Sequence, residues 1–348
     1  MTRNVDYIIV GQGIAGSMVA HYLLKQHKTI LVIDKFNPNS ASNIAAGVVN
    51  PVTGRYMVKT WMIDDILPFA KKIYRELEQQ LNASFFYEQD IYKLFSSDEV
   101  VDIWNKKKIK VEYQDYLGEI VYMEDDTVKA PFGAGIIKQC CWLDVPKFIK
   151  YFRNFLKENN NIEEEEFDIT QLEMTNVIRY KNTIADKIIF CEGYSAYKNP
   201  FFKFIPFSLA KGEHFIIHSE NLKTDKLISK NIFIIPKGNN LYNVGATFIW
   251  NDVSEKVTEE GRAEIQEKLS KIINTEYSIV EEKAGIRPTI KDRRPVLGCH
   301  PYLKNVYIFN GMGTKGVSIA PYFANYFVDY LHENFDISDE VAVKRFVI

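Results

Sequence analysis

Three glycines near the amino end are the first residues of this chain whose type and spacing indicate chemistry. Gly11, Gly13 and Gly16 follow the G-x-G-x-x-G pattern directly after the apolar run Tyr7-Ile8-Ile9-Val10. Such glycines allow a tight turn, a close approach of backbone to a pyrophosphate, and close packing of a helix on a strand. A second apolar run, residues 29–33, ends at Asp34, where an acid can bind a ribose hydroxyl. The pattern predicts a dinucleotide site in a strand–turn–helix–strand unit.

Asp34 and the segment that follows it bear on which dinucleotide is bound. An acid in place of an arginine favours a free ribose 2′-hydroxyl, and hence FAD or NAD over NADP. Residues 40–51 (SASNIAAGVVNP) are mostly small, which suggests backbone pressed against a large cofactor. In a NAD dehydrogenase we expect a regular helix and strand there instead. The alternative reading of the segment is a flexible surface loop.

Patterns for metal or nucleophile chemistry are missing from the sequence. The four cysteines include one adjacent pair and no Cys-x-x-Cys, which argues against a disulfide framework and a thiolate metal site. His214 and His218 are four residues apart, but the apolar stretch between them predicts a strand, so we expect no metal site.

The amino-acid composition limits the classes of protein to which this chain can belong. With 43 basic and 45 acidic residues, the net charge of −2 provides no overall basic field for nucleic acid or an anionic membrane, although a local patch would suffice for RNA. A hydrophobic content of 46% excludes a mainly disordered chain. No apolar run is long enough for a transmembrane helix, and none resembles a cleavable signal. The expectation is a soluble, reduced, cytoplasmic protein.

The elements that must position these residues follow from hydrophobic periodicity. Helices are predicted over 17–25, 64–81, the region after Pro146, 261–273 and 317–331. Residues 184–193 predict a strand ending at Gly193, and 307–316 predict a second strand that runs into a glycine loop before a helix. Strand-rich segments interrupt these α/β segments. With 348 residues, two domains are expected, the second inserted into the first.

Several sequence blocks resemble a known family in their order along the chain. These blocks are VGQGIAGSMVAHYL with VID, ASNIAAGVVNP, KIIFCEGYSA, KGEHFII, LYNVGATF, and GIRPTIKDRRPVLG followed by FNGMGTKGVSIAP. They resemble the FAD-dependent oxidoreductases of the D-amino-acid oxidase type, which include glycine oxidase and sarcosine oxidase. The resemblance implies an α/β fold, α+β overall, with a doubly wound Rossmann-like FAD-binding domain and an inserted mixed-sheet substrate domain. The implied division is 1–82, 141–208 and 285–348 for the first domain, and 83–140 and 209–284 for the second.

The resemblance also implies site residues. The cofactor would contact Gly11, Gly13, Ile14, Ala15, Gly16, Asp34, Lys35, Ser42, Ala46, Gly47, Gly193, Gly311, Gly313, Thr314, Lys315, Gly316 and Val317. Arg287 and Lys315 would act in catalysis, and the substrate would contact Phe248 and Arg287. Arg55 and Lys59 lie close in sequence to the segment expected along the flavin, where they suit an anionic substrate group or else are surface charges. Met312 stands where a histidine is common in the family. No cysteine has a familiar flavin-linking context, so noncovalent FAD is expected.

The implied activity is oxidation of an amine or amino acid, with hydride transfer from the carbon next to nitrogen to flavin N5. Arg287 would pair with a substrate carboxylate, or else form a structural ion pair with Asp292. Lys315 would stabilise the reduced, anionic flavin, or else be solvated. The competing functions are a 2-hydroxy-acid dehydrogenase, a tRNA-modification-type amine oxidoreductase and a non-catalytic nucleotide-binding module. Oxygen and a quinone are both open as electron acceptors.

Overall fold

The structure is a computed structural model that describes residues 2–124, 126–333 and 335–347. Met1 and Ile348, the outer ends of the predicted domain division, lie outside the described residues. The helices are α1 (Ile14–Lys25), α2 (Ala41–Ile44), α3 (Ile63–Leu81), α4 (Asp98–Lys108), α5 (Val145–Glu158), α6 (Glu259–Ser270) and α7 (Gly316–Glu333). The strands are β1 (Arg3–Val10), β2 (Ile30–Ile33), β3 (Val48–Val49), β4 (Val52–Thr53), β5 (Val58–Lys59), β6 (Phe86–Glu88), β7 (Ile91–Leu94), β8 (Leu117–Val121), β9 (Ala134–Ile137), β10 (Cys141–Leu143), β11 (Ile162–Glu163), β12 (Leu172–Met174), β13 (Ile178–Tyr180), β14 (Thr183–Phe190), β15 (Ala210–His218), β16 (Leu227–Lys230), β17 (Ile232–Gly238), β18 (Leu241–Gly245), β19 (Ile249–Trp250), β20 (Ser278–Arg287), β21 (Val296–Cys299) and β22 (Val306–Asn310).

An eight-stranded sheet carries the glycine-rich turn. Its order is β11-β2-β1-β14-β13-β12, with β22 also paired to β14 and β21 paired to β22. The central strands β2, β1, β14 and β22 run parallel. Their apolar runs are buried because both faces of the sheet are covered, by α1 and α7 on one face and by side chains of residues 201–207 with Ile290 on the other, as continuous Val/Ile/Leu runs in parallel strands require. The carboxyl ends of β1, β2 and β14 therefore meet at one edge, where a ligand site is expected.

A nine-stranded mixed sheet forms the second layer of the molecule. Its order is β19-β15-β18-β17-β16-β7-β9-β8, and β20 pairs with β15. The strand β15 is antiparallel to both β18 and β20. Helix α6 packs against this sheet over an apolar cluster of its own, whereas Ile91, Ile137 and Leu227 of the sheet join the large cluster that also contains residues of α1, α3, α5 and α7. Two small sheets, β3-β10-β6 and β4-β5, complete the described strands.

The mixed α/β architecture is the fold class predicted from the sequence, and the domain division itself stays a prediction. The strands of the eight-stranded sheet come from 3–33, 162–190 and 296–310, and those of the nine-stranded sheet from 91–137 and 210–287. One strand crosses a predicted boundary: β20 continues to Arg287, because its pairing with β15 extends to Ala210. Helix α4 was not predicted. No described helix is long and apolar enough to cross a bilayer.

Candidate functional site

The turn between β1 and α1 is tightly packed at two of its glycines. Gly11 has a φ of +99°, and a Cβ there would lie 2.6 Å from the Cys191 carbonyl oxygen. A Cβ on Gly16 would lie 1.9 Å from the Gly11 carbonyl oxygen, so α1 can approach the turn only without a side chain at this position. Gly13 is the N-cap of α1. The free N–H groups of the first helical turn therefore face outward at the sheet edge, as an anion site requires.

The small-residue segment 40–47 lies against this helix end. Ser42 Oγ accepts a hydrogen bond from the Ile14 amide at 3.0 Å, and it lies 3.0 Å from where a Gly13 Cβ would be. Gly47 has a φ of +76°, and a Cβ on it would lie 1.9 Å from the Leu143 carbonyl oxygen. Small side chains in this segment thus permit close packing on other protein backbone, and the contact with a large cofactor expected from the sequence stays a prediction.

The acid at the end of β2 is held by an arginine that sequence reasoning missed. Asp34 accepts from the Gln12 amide at 2.8 Å, and from Arg153 Nη1 at 2.6 Å. Arg153 also donates to the Asp34 carbonyl oxygen and to Gln12 Oε1. It lies buried on α5 and forms a second ion pair with Glu164. Because Arg153 fixes the Asp34 carboxylate, it positions the group expected to bind the ribose. Its only sequence signal is its i,i+4 spacing from Ile149 on the buried face of α5.

A cavity of about 930 Å³ extends from Asp34, at the edge of the eight-stranded sheet, to Arg287 on the nine-stranded sheet. The predicted site residues that line it are Gly11, Gly13, Ile14, Ala15, Asp34, Lys35, Ser42, Ala46, Gly47, Gly193, Phe248, Arg287, Gly313, Thr314, Gly316 and Val317. Both glycine loops, the small-residue segment and the strand-end glycine Gly193 thus meet around one space. Within the described chain, no group of three or more His, Cys, Asp or Glu side chains could hold a metal ion.

Five of the predicted site residues do not line this cavity. Gly16 and Gly311 pack behind it: a Cβ on Gly311 would lie 2.5 Å from Ile290 Cδ1. Arg55 pairs with Glu99. Lys59 pairs with Asp64 at 2.6 Å, and Tyr116 donates to the same carboxylate.

Lys315 is the fifth. It is exposed, whereas its neighbours Thr314 and Gly316 line the cavity. None of these three charges lines the cavity. Arg55 and Lys59 are paired with Glu99 and Asp64, whereas Lys315 stands between two lining residues of its loop, where partial desolvation lowers its pKa, and its role at the flavin stays a prediction.

Arg287 lies at the end of β20 and lines the cavity. Its Nη1 donates to the carbonyl oxygens of Lys211 and Thr247, at 3.1 and 3.2 Å, and Nη2 donates to Thr247 at 3.2 Å. The guanidinium carbon lies 5.0 Å from the centre of the Phe248 ring. Burial lowers the pKa of Arg287 to about 10, so the group stays charged at neutral pH.

The position of the Arg287 guanidinium depends on Gly212 of the adjacent strand. A Cβ on Gly212 would lie 2.1 Å from Arg287 Nη2 and 2.4 Å from its guanidinium carbon. Among the described residues, no carboxylate pairs with Arg287. Asp292, the alternative partner considered from the sequence, pairs with Arg345 instead. Backbone carbonyls therefore fix the Arg287 guanidinium in place, and its positive charge is available to a ligand in the cavity.

The opposite face of β15 carries a buried ion cluster. Lys211 and Glu213 are fully buried, and Lys211 Nζ lies 2.8 Å from Glu213 Oε1 and 2.5 Å from Asp252 Oδ2. The hydrogen bond from Lys211 is the main cause that lowers the pKa of Asp252 to about 2. Glu255, three residues after Asp252, accepts hydrogen bonds from the side chains of Asn37 and Tyr194. These contacts fix residues 246–258, which we call the wall segment, against the cavity that its Thr247 and Phe248 line.

Glu192, between Cys191 and Gly193, is an acid in addition to Asp34, and the sequence analysis did not identify it. It lines the cavity near the glycine-rich turn, and its carboxylate accepts from Asn199 Nδ2 at 2.7 Å. Burial raises the pKa of Glu192 to about 7. A protonated carboxyl can lie beside a phosphate without charge repulsion, which suits its place near the turn.

The lining residues suit FAD. The cavity joins an anion-binding helix end, an acid placed for a ribose and a wall of glycine and small-residue backbone at Gly11, Gly13, Ala46 and Gly47. It then continues to a cationic group on the second sheet. This order of features matches a long dinucleotide followed by a small anionic substrate.

Comparison with known proteins agrees with this description. Residues 6–330 match the sequence profile of a family described as FAD dependent oxidoreductase, DAO. The glycine oxidase of Bacillus subtilis (strain 168) is 22% identical, with 92% of this chain and 91% of that protein covered. The crystal structure of glycine oxidase from Geobacillus kaustophilus has a TM-score of 0.82 at 17% identity, covering 97% of this chain and 96% of that one. L-proline dehydrogenase from P. horikoshii has a TM-score of 0.77 at 15% identity, covering 99% and 97%.

Proposed function

The chain belongs to the family of FAD-dependent oxidoreductases, and on that premise we propose that it oxidises an amino acid at the carbon next to nitrogen, with Arg287 binding the substrate carboxylate. Because the family uses FAD for oxidation and reduction, we test the hypothesis that the chain is an enzyme rather than a non-catalytic nucleotide-binding module. Glycine oxidase and L-proline dehydrogenase, the named activities of similar proteins, both act on amines that carry a carboxylate.

The observation that carries the proposal is the charge state of Arg287. A guanidinium that is largely buried, held by two backbone carbonyls and without a paired carboxylate among the described residues retains unused donors on the cavity side. Guanidinium groups bind carboxylates through two parallel hydrogen bonds, and we take about 1.5–3 kcal/mol, the range for hydrogen bonding to a charged group, as the net contribution of such a paired contact. A carboxylate is therefore the ligand group that this position recognises best.

The residues proposed to hold FAD are those of the cavity lining. The amides at the start of α1, with Gly13 and Ser42 beside them, would bind the pyrophosphate, and Asp34, positioned by Arg153, would bind the ribose. The loop from Gly313 to Val317 and the segment through Ala46 and Gly47 would line the flavin. When bound, FAD supplies the two-electron acceptor for the substrate. We propose that it is held noncovalently.

In the reaction, the protein would mainly orient the substrate. Arg287 would fix the carboxylate, so that the amine-bearing carbon is held in one place inside the cavity. Gly212 allows that placement and Thr247 stabilises it. Among the described residues that line the cavity, His214 is a neutral imidazole because burial, with the charges of Lys283, Arg287 and Lys237, lowers its pKa to about 4. It therefore cannot hold an amine proton at neutral pH.

The test compares a carboxylate substrate with its decarboxylated analogue. Anaerobic bleaching of the flavin with glycine, sarcosine, proline, alanine and the corresponding hydroxy acids identifies the reactive class. For the best amino acid, Arg287→Ala should lower kcat/KM by roughly 10- to 150-fold. Arg287→Lys should not restore it, because an ammonium lacks the paired donors. The decarboxylated amine should lose far less. Equal losses on both compounds would show that Arg287 does not bind the carboxylate, and bleaching by hydroxy acids alone would replace amine oxidation with alcohol oxidation.

A further inference from the structure

Two uncharged polar side chains lie in the cavity wall without a function in the account above. His214 on β15 is 5% exposed and Asn243 on β18 is 9% exposed, and both line the cavity. Among the described residues, no hydrogen bond joins either side chain to another residue, and neither has a polar atom sealed in the core, so their polar atoms open onto the cavity. Their donors and acceptors are therefore available to a ligand in the cavity.

The strand register places these two residues beside the carboxylate site. The Arg287 guanidinium lies over Gly212, and His214 is the next residue on the same face of β15, about 7 Å farther along the strand. His214 pairs with Gly245, and Ile216 with Asn243, so Asn243 is the diagonal neighbour of His214. A Cβ on Gly245 would lie 2.5 Å from His214 Cβ, so the glycine is what allows His214 to pack closely on β18; Phe233 pairs with Gly245 from the other side, on β17.

The electrostatic environment of His214 and Asn243 favours an uncharged ligand group. His214 is neutral, as its lowered pKa requires, and Asn243 is neutral at any pH. The nearby cations Lys283 and Lys237 have their own partners, Glu281 at 3.0 Å and Asp144 at 3.6 Å. A neutral imidazole and an amide each offer a donor and an acceptor, which matches a carboxamide better than a carboxylate or an ammonium.

We propose that His214 and Asn243 form a specificity site for the substrate side chain, and that they select amino acids whose side chain ends in an uncharged hydrogen-bonding group such as a carboxamide. The inference rests on the proposed function, because it takes Arg287 as the carboxylate site. A side chain that leaves both wall residues unpaired would be rejected, as sites built around buried polar groups reject analogues that lack the matching group.

The experiment uses unreactive, achiral carboxylates on the FAD-containing protein. Succinamate carries a carboxylate and a carboxamide, 4-methylpentanoate is its apolar counterpart of similar shape, and succinate is its charged counterpart. Calorimetric titration gives a Kd for each. In the wild type, succinamate should bind about tenfold more tightly than 4-methylpentanoate. His214→Leu and Asn243→Leu should each reduce that ratio toward one, and His214→Gln should retain part of it.

His218→Gln is the matched control, because His218 lies on the same strand but outside the cavity and contacts Glu220. Its ratio should equal that of the wild type. An unchanged ratio in both leucine variants, or preferential binding of succinate, would overturn the specificity site while leaving Arg287 as the carboxylate site. If none of the three carboxylates bound, the proposed function would fall first, and this inference with it.

Discussion

Gly212→Ala is the substitution that most directly tests the geometry of the carboxylate site. Gly212 lies within a regular strand, so alanine suits its backbone, but the added methyl would lie 2.1 Å from Arg287 Nη2 and 2.7 Å from Nη1. Real carbon atoms do not approach this closely, so the guanidinium must leave its place. It then loses its hydrogen bonds to the Lys211 and Thr247 carbonyl oxygens. The variant changes the position of the cation without removing it.

The magnitude follows from the hydrogen bonds that depend on that position. Loss of a paired guanidinium–carboxylate contact corresponds to about 1.5–3 kcal/mol, and hence to roughly a 10- to 150-fold lower kcat/KM for a carboxylate substrate. The assay is the rate of anaerobic flavin reduction against substrate concentration, with thermal unfolding followed in parallel. The decarboxylated amine should react at nearly the wild-type rate.

A double-mutant cycle supplies the control. In an Arg287→Ala background the guanidinium is gone, so Gly212→Ala should cause no further loss, and the two effects should be strongly non-additive. Additive losses would refute the reasoning, because they would mean that Gly212 acts through the strand rather than through Arg287. Equal damage to the amine and carboxylate reactions would lead to the same conclusion.

Three further outcomes are expected. Gly13→Val should abolish FAD binding, because its side chain would enter the space beside Ser42 at the start of α1; the absorbance ratio at 450 and 280 nm checks this, and full flavin occupancy would contradict it. Acid precipitation should leave the yellow colour in the supernatant, whereas a yellow pellet would indicate covalent FAD. Because burial raises the pKa of Glu192 from 4.5 to about 7, the folded protein holds a proton that the unfolded chain releases, and the contribution of Glu192 to stability is lost as pH rises through that window. Glu192→Gln should therefore gain stability over the wild type from pH 4.5 to 7 and keep a constant advantage above it, as measured by urea unfolding at matched flavin occupancy; a gain that does not depend on pH would contradict this.

Local patterns in the sequence predicted the parts of the site that depend on local backbone. The turn at Gly11 and the strand that ends at Asp34 need only short-range packing, and both lie where the spacing predicted. Arg287 reaches the cavity because Pro288 follows a strand whose register carries the arginine to its end.

Side chains whose direction depends on distant partners could not be predicted in this way. Arg55 and Lys59 are close in sequence to the small-residue segment, but Glu99 and Asp64 hold them outside the cavity. Lys315 lies between two lining residues of its loop and is itself exposed.

Residues that the sequence analysis passed over acquire their roles through pairing between elements. His214 becomes a cavity residue only because β15 pairs with β18 at Gly245, 31 positions along the chain. Arg153 reaches Asp34 because α5 crosses the edge of the eight-stranded sheet. Neither contact has a local signature, since each joins segments that the hydrophobic pattern describes separately.

The ion cluster behind β15 limits how substrate can enter. If the wall segment swung outward, Lys211 would lose its contact with Asp252, and Glu255 would lose the hydrogen bonds that it accepts from Asn37 and Tyr194. Hydrogen bonds to charged groups contribute about 1.5–3 kcal/mol each, so breaking these together costs at least about 3 kcal/mol, and roughly one molecule in 10² or fewer would be open at any moment. Binding by such a rare species would slow association in proportion. We therefore expect substrate to exchange with the wall segment closed, through the mouth of the cavity, at a rate set by diffusion through that opening.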